Sequence, residues 1–234
     1  MTLTLTNSDS VPRSAQIIRV EGDQTVDDVL EIVDADEDVE IPTWMQDGGG
    51  VGAVAPGATA SATQVLAPGK YVIWDDEGGD DDGPSNSDAG AKGEFTVTGP
   101  AVDAELPEQP ATVTTTDDGE DEYSFEFSGL TAGTNQVRFE NTGEELHHAL
   151  FFPIQGNATI DDVTAAFTAE GPPQGPPPVD FANASGTAVI DGDIAQNITL
   201  DLEAGRYAVV CFLTDREGGE PHAAQGMIEE LTIE

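Results

Sequence analysis

The chain alternates between short stretches rich in β-branched and aromatic residues and breaks made of Gly, Pro, Asn and Asp. Short apolar stretches bounded in this way are typical of the strands of a β-sandwich. The pattern therefore predicts an all-β protein. In the second half of the chain the predicted strands are Tyr123–Phe127, Val137–Asn141, Ala149–Ile154, Ala188–Ile190, Asn197–Leu202, Arg206–Leu213 and Glu229–Glu234.

One stretch in each half has the pattern of a short helix instead. In the second half, Thr159 can cap the start of a helix, and Asp161 and Asp162 place negative charge in its first turn. The first half repeats this design with Thr25 as the cap. The apolar residues that share one face of the second helix are Ile160, Val163 and Phe167.

An internal repeat relates the two halves. Asn7–Leu30 aligns with Asn141–Thr164 without a gap, and near the end of each half the alignment resumes with its offset changed by two residues. Order and spacing both hold, so chance is a poor explanation. We therefore predict two tandem domains, 1–99 and 119–234, joined by an extended linker over 100–118 that is rich in Pro, Thr, Asp and Glu. Among the identical pairs are Asn7/Asn141, Thr25/Thr159, Leu66/Leu202, Tyr71/Tyr207 and Thr96/Thr232.

The first copy is shorter at its start than the second. It begins at Thr2–Asn7, the counterpart of Val137–Asn141, and has no counterpart of the preceding strand Tyr123–Phe127. Either upstream residues were removed with a leader, or a partner supplies the strand, which would permit self-association by strand addition. On this basis we expect residues 119–234 to fold alone and residues 1–99 to be less stable alone.

Charge narrows the range of functions. The chain carries 46 acidic and 7 basic side chains, a formal net charge of −39. This charge argues against binding of nucleic acids or of anionic membranes, because both depend on Lys and Arg. No apolar run is long enough to predict membrane insertion, and the N-terminus lacks the features of a signal peptide. Acids scattered between β-rich runs favour a folded protein with an acidic shell, typical of a halophile, over a disordered chain.

The candidate chemistry is confined to the second copy. A His on one strand, then Cys, a loop, His and Met before the last strand, is the ligand order of a type 1 copper site. A thiolate and two imidazoles form the trigonal plane of such a site, and a thioether binds weakly on its axis. The candidates are His147, His148, Cys211, His222 and Met227.

Three stretches resemble the cupredoxins, in particular secreted cupredoxin-like domains: Asn141–Ile154, Gly205–Phe212 and Pro221–Met227. The resemblance implies a Greek-key β-sandwich and an extracellular or cell-surface protein that carries electrons or copper, with a redox partner protein. Because the candidate ligands occur only in the second copy, we expect a single copper per chain. By the same match the ligands are His147, Cys211, His222 and Met227, with His148 as the alternative first histidine.

Two features depart from the cupredoxin pattern. Ten residues separate Cys211 from His222, much longer than is usual in the family. This insertion leaves open the alternative of a metal-free surface or assembly protein built from two sandwiches. In the first copy every aligned ligand position is replaced, so that copy is not expected to bind copper. The replacing residues are Arg13 or Ser14, Asp75, Asn86 and Ala91.

The sequence shows no catalytic motif of a hydrolase. No nucleophile elbow is present, and we expect a protein that is not an enzyme.

Overall fold

The computed structural model describes residues 1–35, 39–77, 85–102, 104–117, 123–169 and 175–234. The helices are α1 (Val26–Val33) and α2 (Ile160–Phe167), one in each repeat copy. The remaining regular structure is almost entirely strand, so the predicted all-β class with one short helix in each copy is confirmed. The strands are β1 (Thr2–Thr6), β2 (Arg13–Val20), β3 (Met45–Val54), β4 (Thr59–Thr63), β5 (Gly69–Trp74), β6 (Lys92–Val97), β7 (Ala111–Asp117), β8 (Tyr123–Ser128), β9 (Gly133–Asn141), β10 (Leu150–Pro153), β11 (Ser185–Gly186), β12 (Ala195–Leu202), β13 (Gly205–Val210) and β14 (Ile228–Ile233).

The strands form three sheets, and one of them is shared by both copies. The shared sheet has the order β1-β4-β12-β9-β7-β8. The first copy has its own sheet, β3-β2-β5-β6, and the second copy has β11-β10-β13-β14. Apolar residues from all three sheets, among them Val51, Phe139 and Phe151, form one buried cluster. The shared sheet is therefore the common layer of the sandwich, and the hydrophobic core is continuous between the copies.

The copies meet at equivalent strands. β4 and β12 are antiparallel neighbours, and Ala62 lies opposite Ile198, its own counterpart in the repeat. Such a pairing relates the two copies by a local two-fold axis, as in a symmetric dimer. The backbones also approach closely where the first copy's sheet faces the second copy. A Cβ atom at Gly52 would lie 2.3 Å from the carbonyl oxygen of Gly186, so this position has no room for a side chain.

Residues that are identical in the repeat make the same hydrogen bonds in both copies. The amides of Asn7 and Asn141 each donate to the carbonyl four residues further on, over 2.7 and 2.6 Å. The hydroxyls of Tyr71 and Tyr207 each donate to the carbonyl four residues earlier, over 2.9 and 3.0 Å. These side chains fix turns between strands, which explains why they recur at the same spacing.

Both helices begin as predicted. Thr25 and Thr159 each accept a hydrogen bond from the backbone N–H three residues on, over 3.3 and 3.2 Å. The carboxylates of Asp28 and Asp162 accept in return from the backbone N–H groups of the two threonines. These are capping boxes, in which two helix-start donors are satisfied reciprocally. Within the described residues, no helix is long and apolar enough to cross a membrane.

Part of the segment predicted as a linker is a strand instead. β7 pairs antiparallel with β8 and parallel with β9, and so lies inside the shared sheet. Ala111, Val113 and Thr115 are buried, and the residues between them are partly exposed. Thr-rich and Pro-rich composition suggested an extended linker, but alternating burial and β-branched side chains suit a strand. The second copy therefore begins before residue 119.

Two other expectations about strands can be compared with the structure. The predicted strand Ala188–Ile190 does not form, and Ile190 makes only an isolated bridge to His147. β1 lies at the edge of the shared sheet beside β4, whereas its counterpart β9 has β7 on the corresponding side. No described strand of the first copy takes the place of β7 or β8.

Candidate metal centre

Backbone hydrogen bonds hold three predicted ligands at one end of the second copy. His147, between β9 and β10, exchanges backbone hydrogen bonds of 3.0 and 2.9 Å with Ile190. Cys211 directly follows β13, and its N–H donates to the carbonyl of Met227 at 3.3 Å. The N–H of His222 donates to the carbonyl of Leu213 at 2.7 Å, which closes the loop between Cys211 and His222.

These side chains converge on one point. The Nδ1 atoms of His147 and His222 are 3.1 Å apart, and the Sγ atom of Cys211 lies 3.7 and 3.6 Å from them. All three residues are fully buried. A triangle of these dimensions has a centre about 2 Å from each corner, close to the roughly 2.0–2.3 Å of metal–imidazole and metal–thiolate bonds. The donor set and its spacing therefore fit a metal ion without rearrangement.

The other two candidates lie differently. His148 is not part of the triangle, because its Nε2 atom accepts a hydrogen bond of 3.0 Å from the backbone N–H of Phe212. Met227 is fully buried in the apolar cluster that includes Cys211, and its N–H donates to the carbonyl of His222 at 2.8 Å. In the described part of the chain, His147, Cys211 and His222 form the one group of His, Cys, Asp and Glu side chains with ligand atoms this close.

Two carboxylates and a phenol next to the triangle were missed from the sequence. The Oδ1 atom of Asp215 lies 3.0 Å from His222 Nε2 and accepts a 2.8 Å hydrogen bond from the hydroxyl of Tyr123. The Tyr123 ring stacks on His222 with centroids 4.1 Å apart and an interplanar angle of 16°. Asp117 Oδ2 lies 3.6 Å from His147 Nε2. Among 46 acidic residues nothing marked these two carboxylates. The one available signal was the long spacing between Cys211 and His222, which supplies Asp215.

Burial sets the protonation of the three side chains. Desolvation, followed by the nearby His222, lowers the pKa of His147 to about 4. Desolvation also lowers the pKa of His222, although Asp215 opposes this shift. The pKa of the Cys211 thiol rises to about 12, chiefly because burial disfavours the thiolate. At neutral pH both imidazoles are therefore uncharged, while the thiol would have to lose its proton when a metal binds.

The corresponding end of the first copy is filled by an internal hydrogen-bond network. The carboxylate of Asp75 accepts from the backbone N–H and the hydroxyl of Ser14, over 2.9 and 3.0 Å. Arg13 also donates to Asp75 at 3.2 Å. The acceptor oxygens of Asp75 thus face donors of their own copy, and Asn86, at the position aligned with His222, is also buried. These residues replace a soft ligand set with a hydrogen-bonded polar cluster.

A measurable pH dependence follows from His148. Desolvation, and then the charges of His147 and His222, lower the pKa of His148 to about 3. Because the pKa of His148 is lower in the folded state than in the unfolded state, its contribution to stability is fully present above the unfolded pKa of about 6.5. As the pH falls from there towards the folded pKa, the unfolded state binds a proton that the folded state does not, and this contribution is lost. His148→Gln keeps an acceptor for the N–H of Phe212 but does not titrate. As the pH is lowered from 7.5 to 4.5, we expect its free energy of unfolding to rise by about 3 kcal/mol relative to that of the parent.

Urea unfolding of both metal-free proteins over this pH range measures the difference. Comparing the two chains cancels opposing contributions such as that of Glu77, whose raised pKa of about 7 stabilises the folded state as the pH falls. A difference that does not change with pH would contradict the neutral, buried His148.

Comparisons with known proteins gave structural likenesses only. No protein-family model matches the chain, and no curated protein matches it. An auracyanin from Roseiflexus castenholzii is 22% identical with a TM-score of 0.32, and the match covers 53% of this chain and 96% of that one. Auracyanin A from Chloroflexus aurantiacus, described as a "blue" copper protein, is 23% identical with a TM-score of 0.33, over 53% of this chain and 98% of that one. A multicopper oxidase matches 100% of this chain and 74% of its own at 14% identity and a TM-score of 0.28. These TM-scores are too low to bear on the function of this chain.

Proposed function

We propose that this chain is a type 1-like copper protein that binds one copper ion in its second copy. His147, Cys211 and His222 would hold the ion, and Met227 would be a further ligand. The observation that carries the proposal is the buried triangle of two Nδ1 atoms and one Sγ atom, with sides of 3.1 to 3.7 Å. Two imidazoles with a thiolate are the ligands preferred by copper sites that transfer electrons.

The side chains of the site would prepare it for this role. When bound, copper supplies a centre that exchanges one electron between its two oxidation states. The protein holds both imidazoles neutral, keeps solvent away from all three ligand residues, and fixes their positions through backbone hydrogen bonds. A rigid, dry ligand set limits the rearrangement that accompanies a change of oxidation state.

We further propose that the protein carries electrons or copper and does not itself catalyse a reaction. Full burial of His147, Cys211 and His222 argues against direct access of a substrate to the site. We propose an extracellular or cell-surface location in a salt-rich environment, where ions screen the net charge of −39. A redox partner protein would then approach through a surface rich in carboxylates.

The alternative of a metal-free assembly protein has one observation in its favour. β1 forms an edge of the shared sheet, at the side where β9 is paired with β7 in the second copy. An edge strand of this kind can pair with a strand of another molecule, including a second copy of the chain.

Copper titration distinguishes the two functions. Adding Cu(II) to the metal-free full chain is expected to give an intense visible thiolate-to-copper absorption that saturates at one copper per chain. Metal analysis after desalting should find the same single equivalent. Absence of tight copper would support the metal-free alternative. Two tightly held equivalents would contradict the assignment of binding to the second copy alone.

A further inference from the structure

We propose that Asp215 is a positioning residue of the metal centre, which fixes the His222 ring so that Nε2 carries the proton and Nδ1 presents its lone pair to the metal. The effect on copper rests on the function proposed above, whereas the effect on the ring does not require a metal. The inference accounts for the long insertion between Cys211 and His222.

The hydrogen bonds around Asp215 define the direction of each proton. One carboxylate oxygen, Oδ1, lies 3.0 Å from His222 Nε2 and 2.8 Å from the Tyr123 hydroxyl oxygen. An ionised carboxylate only accepts, so both neighbours must donate. A neutral imidazole has a single N–H group, and its location at Nε2 leaves Nδ1 unprotonated. Nδ1 is the atom that faces Cys211 and His147.

The ring is also held by packing. Tyr123 stacks on His222 and donates to the same carboxylate, so one residue fixes both the plane of the imidazole and its acceptor. His222 is fully buried, while the Asp215 side chain keeps 30% of its surface exposed. The carboxylate therefore remains partly hydrated while it accepts the hydrogen bond, which lowers the cost of keeping its charge beside a buried ring.

The first copy holds the loop that carries Asp215. The neighbouring residue Arg216 accepts a 2.7 Å hydrogen bond at its carbonyl from the N–H of Ile41. Its guanidinium donates to the carbonyl of Met45 at 3.2 Å and pairs with Asp191 of the second copy. Ile41 and Met45 belong to the copy that has lost every candidate ligand. The N–H of Arg216 also donates to the Glu145 carboxylate of the second copy at 2.7 Å, so the two copies together fix Arg216, the residue next to Asp215.

The second carboxylate provides an internal comparison. Asp117 Oδ2 is 3.6 Å from His147 Nε2, longer than a hydrogen bond. The same oxygen already accepts from the backbone N–H groups of Glu144 and Glu145, over 2.8 and 3.1 Å. Asp117 therefore places a negative charge near one ligand without fixing its proton. Asp117→Asn is the matched control for loss of charge alone.

The first test uses the metal-free full chain. Nitrogen NMR of the histidine rings is expected to find His222 protonated at Nε2 and unprotonated at Nδ1. In Asp215→Ala the Nε2–H signal should weaken or exchange faster with water. Asp215→Asn, which keeps an oxygen acceptor, should restore it in part. An Nδ1-protonated His222 in the parent chain, or an unchanged ring signal in Asp215→Ala, would overturn the proposal.

The second test uses the copper-loaded chain. Loss of a partner that orients a ligand typically weakens metal binding 10-fold to 100-fold. We expect this loss of Cu(II) affinity in Asp215→Ala, with the Cu(I) affinity less affected. The reduction potential then rises by 59 mV for each tenfold difference between the two affinity losses. Asp117→Asn should change the Cu(II) affinity and the reduction potential less than Asp215→Ala does. Equal changes in the two variants would show that Asp215 acts only through its negative charge and does not position His222.

The two tests separate this inference from the function on which it rests. If the NMR result holds and no copper binds, the copper function fails and the positioning of His222 stands. If copper binds but Asp215→Ala changes neither the ring signal nor the potential, the positioning role fails alone.

Discussion

Replacing Cys211 with serine is expected to abolish both the visible absorption and tight copper binding. The thiolate is the one soft anionic ligand in the triangle, and a serine hydroxyl supplies neither its charge nor its covalency. Even losing a residue that merely orients a ligand costs roughly 10-fold to 100-fold in affinity, so losing this ligand should weaken binding by more than about 100-fold. Equilibrium competition with a chelator of known affinity, followed by visible and electron paramagnetic resonance spectra, measures the loss.

Other substitutions should give graded results. His222→Ala should open a position to water and weaken binding strongly, while Met227→Leu should mainly shift the reduction potential, because an axial thioether bond is long and weak. Asp75→Asn is the matched control, since Asp75 occupies the place of Cys211 in the first copy. It should leave copper binding unchanged. Retention of the visible band in Cys211→Ser would rule out the proposed ligand set.

Removing β7 is expected to prevent the second copy from folding alone. A fragment of residues 119–234 lacks this strand, which pairs with both β8 and β9. Its loss detaches β8 from the sheet and uncovers the buried side of β9, so hydrogen bonds and core contacts disappear together. The pairing of β7 therefore leads us to expect the opposite of the prediction made from the sequence, that residues 119–234 fold alone.

The matched fragment is 100–234, which differs only by the segment that contains β7. We expect it to show a cooperative urea transition, while 119–234 shows none or a much earlier midpoint. The full chain should be more stable than either fragment, because β12 also pairs with β4 of the first copy. Equal midpoints for the two fragments would show that β7 contributes little to the shared sheet.

Local features of the fold were predictable because their determinants are close in sequence. A threonine followed three residues later by aspartate specifies each helix start, and both capping boxes form. The repeated Asn and Tyr residues fix turns within four residues of themselves. The triangle is not local in this sense: the order of the histidines and cysteine along the chain, with the resemblance to the cupredoxins, predicted its members, and the strand ends that carry them meet at one end of the sandwich.

Features that depend on distant partners were not predictable in the same way. The composition of Ala111–Asp117 resembles a linker, and only its pairing with β8 and β9 makes it a strand. Asp215 lies next to Arg216, which contacts Ile41 and Met45, more than half the chain away. The continuity of the shared sheet across the repeat also has no local signature. For Asp215 and for the shared sheet, the sequence near the residue does not contain its partner, whereas one partner of β7, the strand β8, follows it directly along the chain.

The junction at β4 and β12 bears on how such a chain could arise. Because Ala62 meets its own counterpart Ile198, a single-copy ancestor could have formed the same junction as a homodimer with two equivalent metal sites. Covalent fusion makes that encounter independent of concentration. Once the copies cannot separate, mutations that remove ligands from one of them no longer threaten assembly. One copy can then lose its ligands and keep only its contacts with the loop that carries Asp215 in the other copy. The two-fold symmetry is retained in the shared sheet, although the candidate ligands occur in one copy alone.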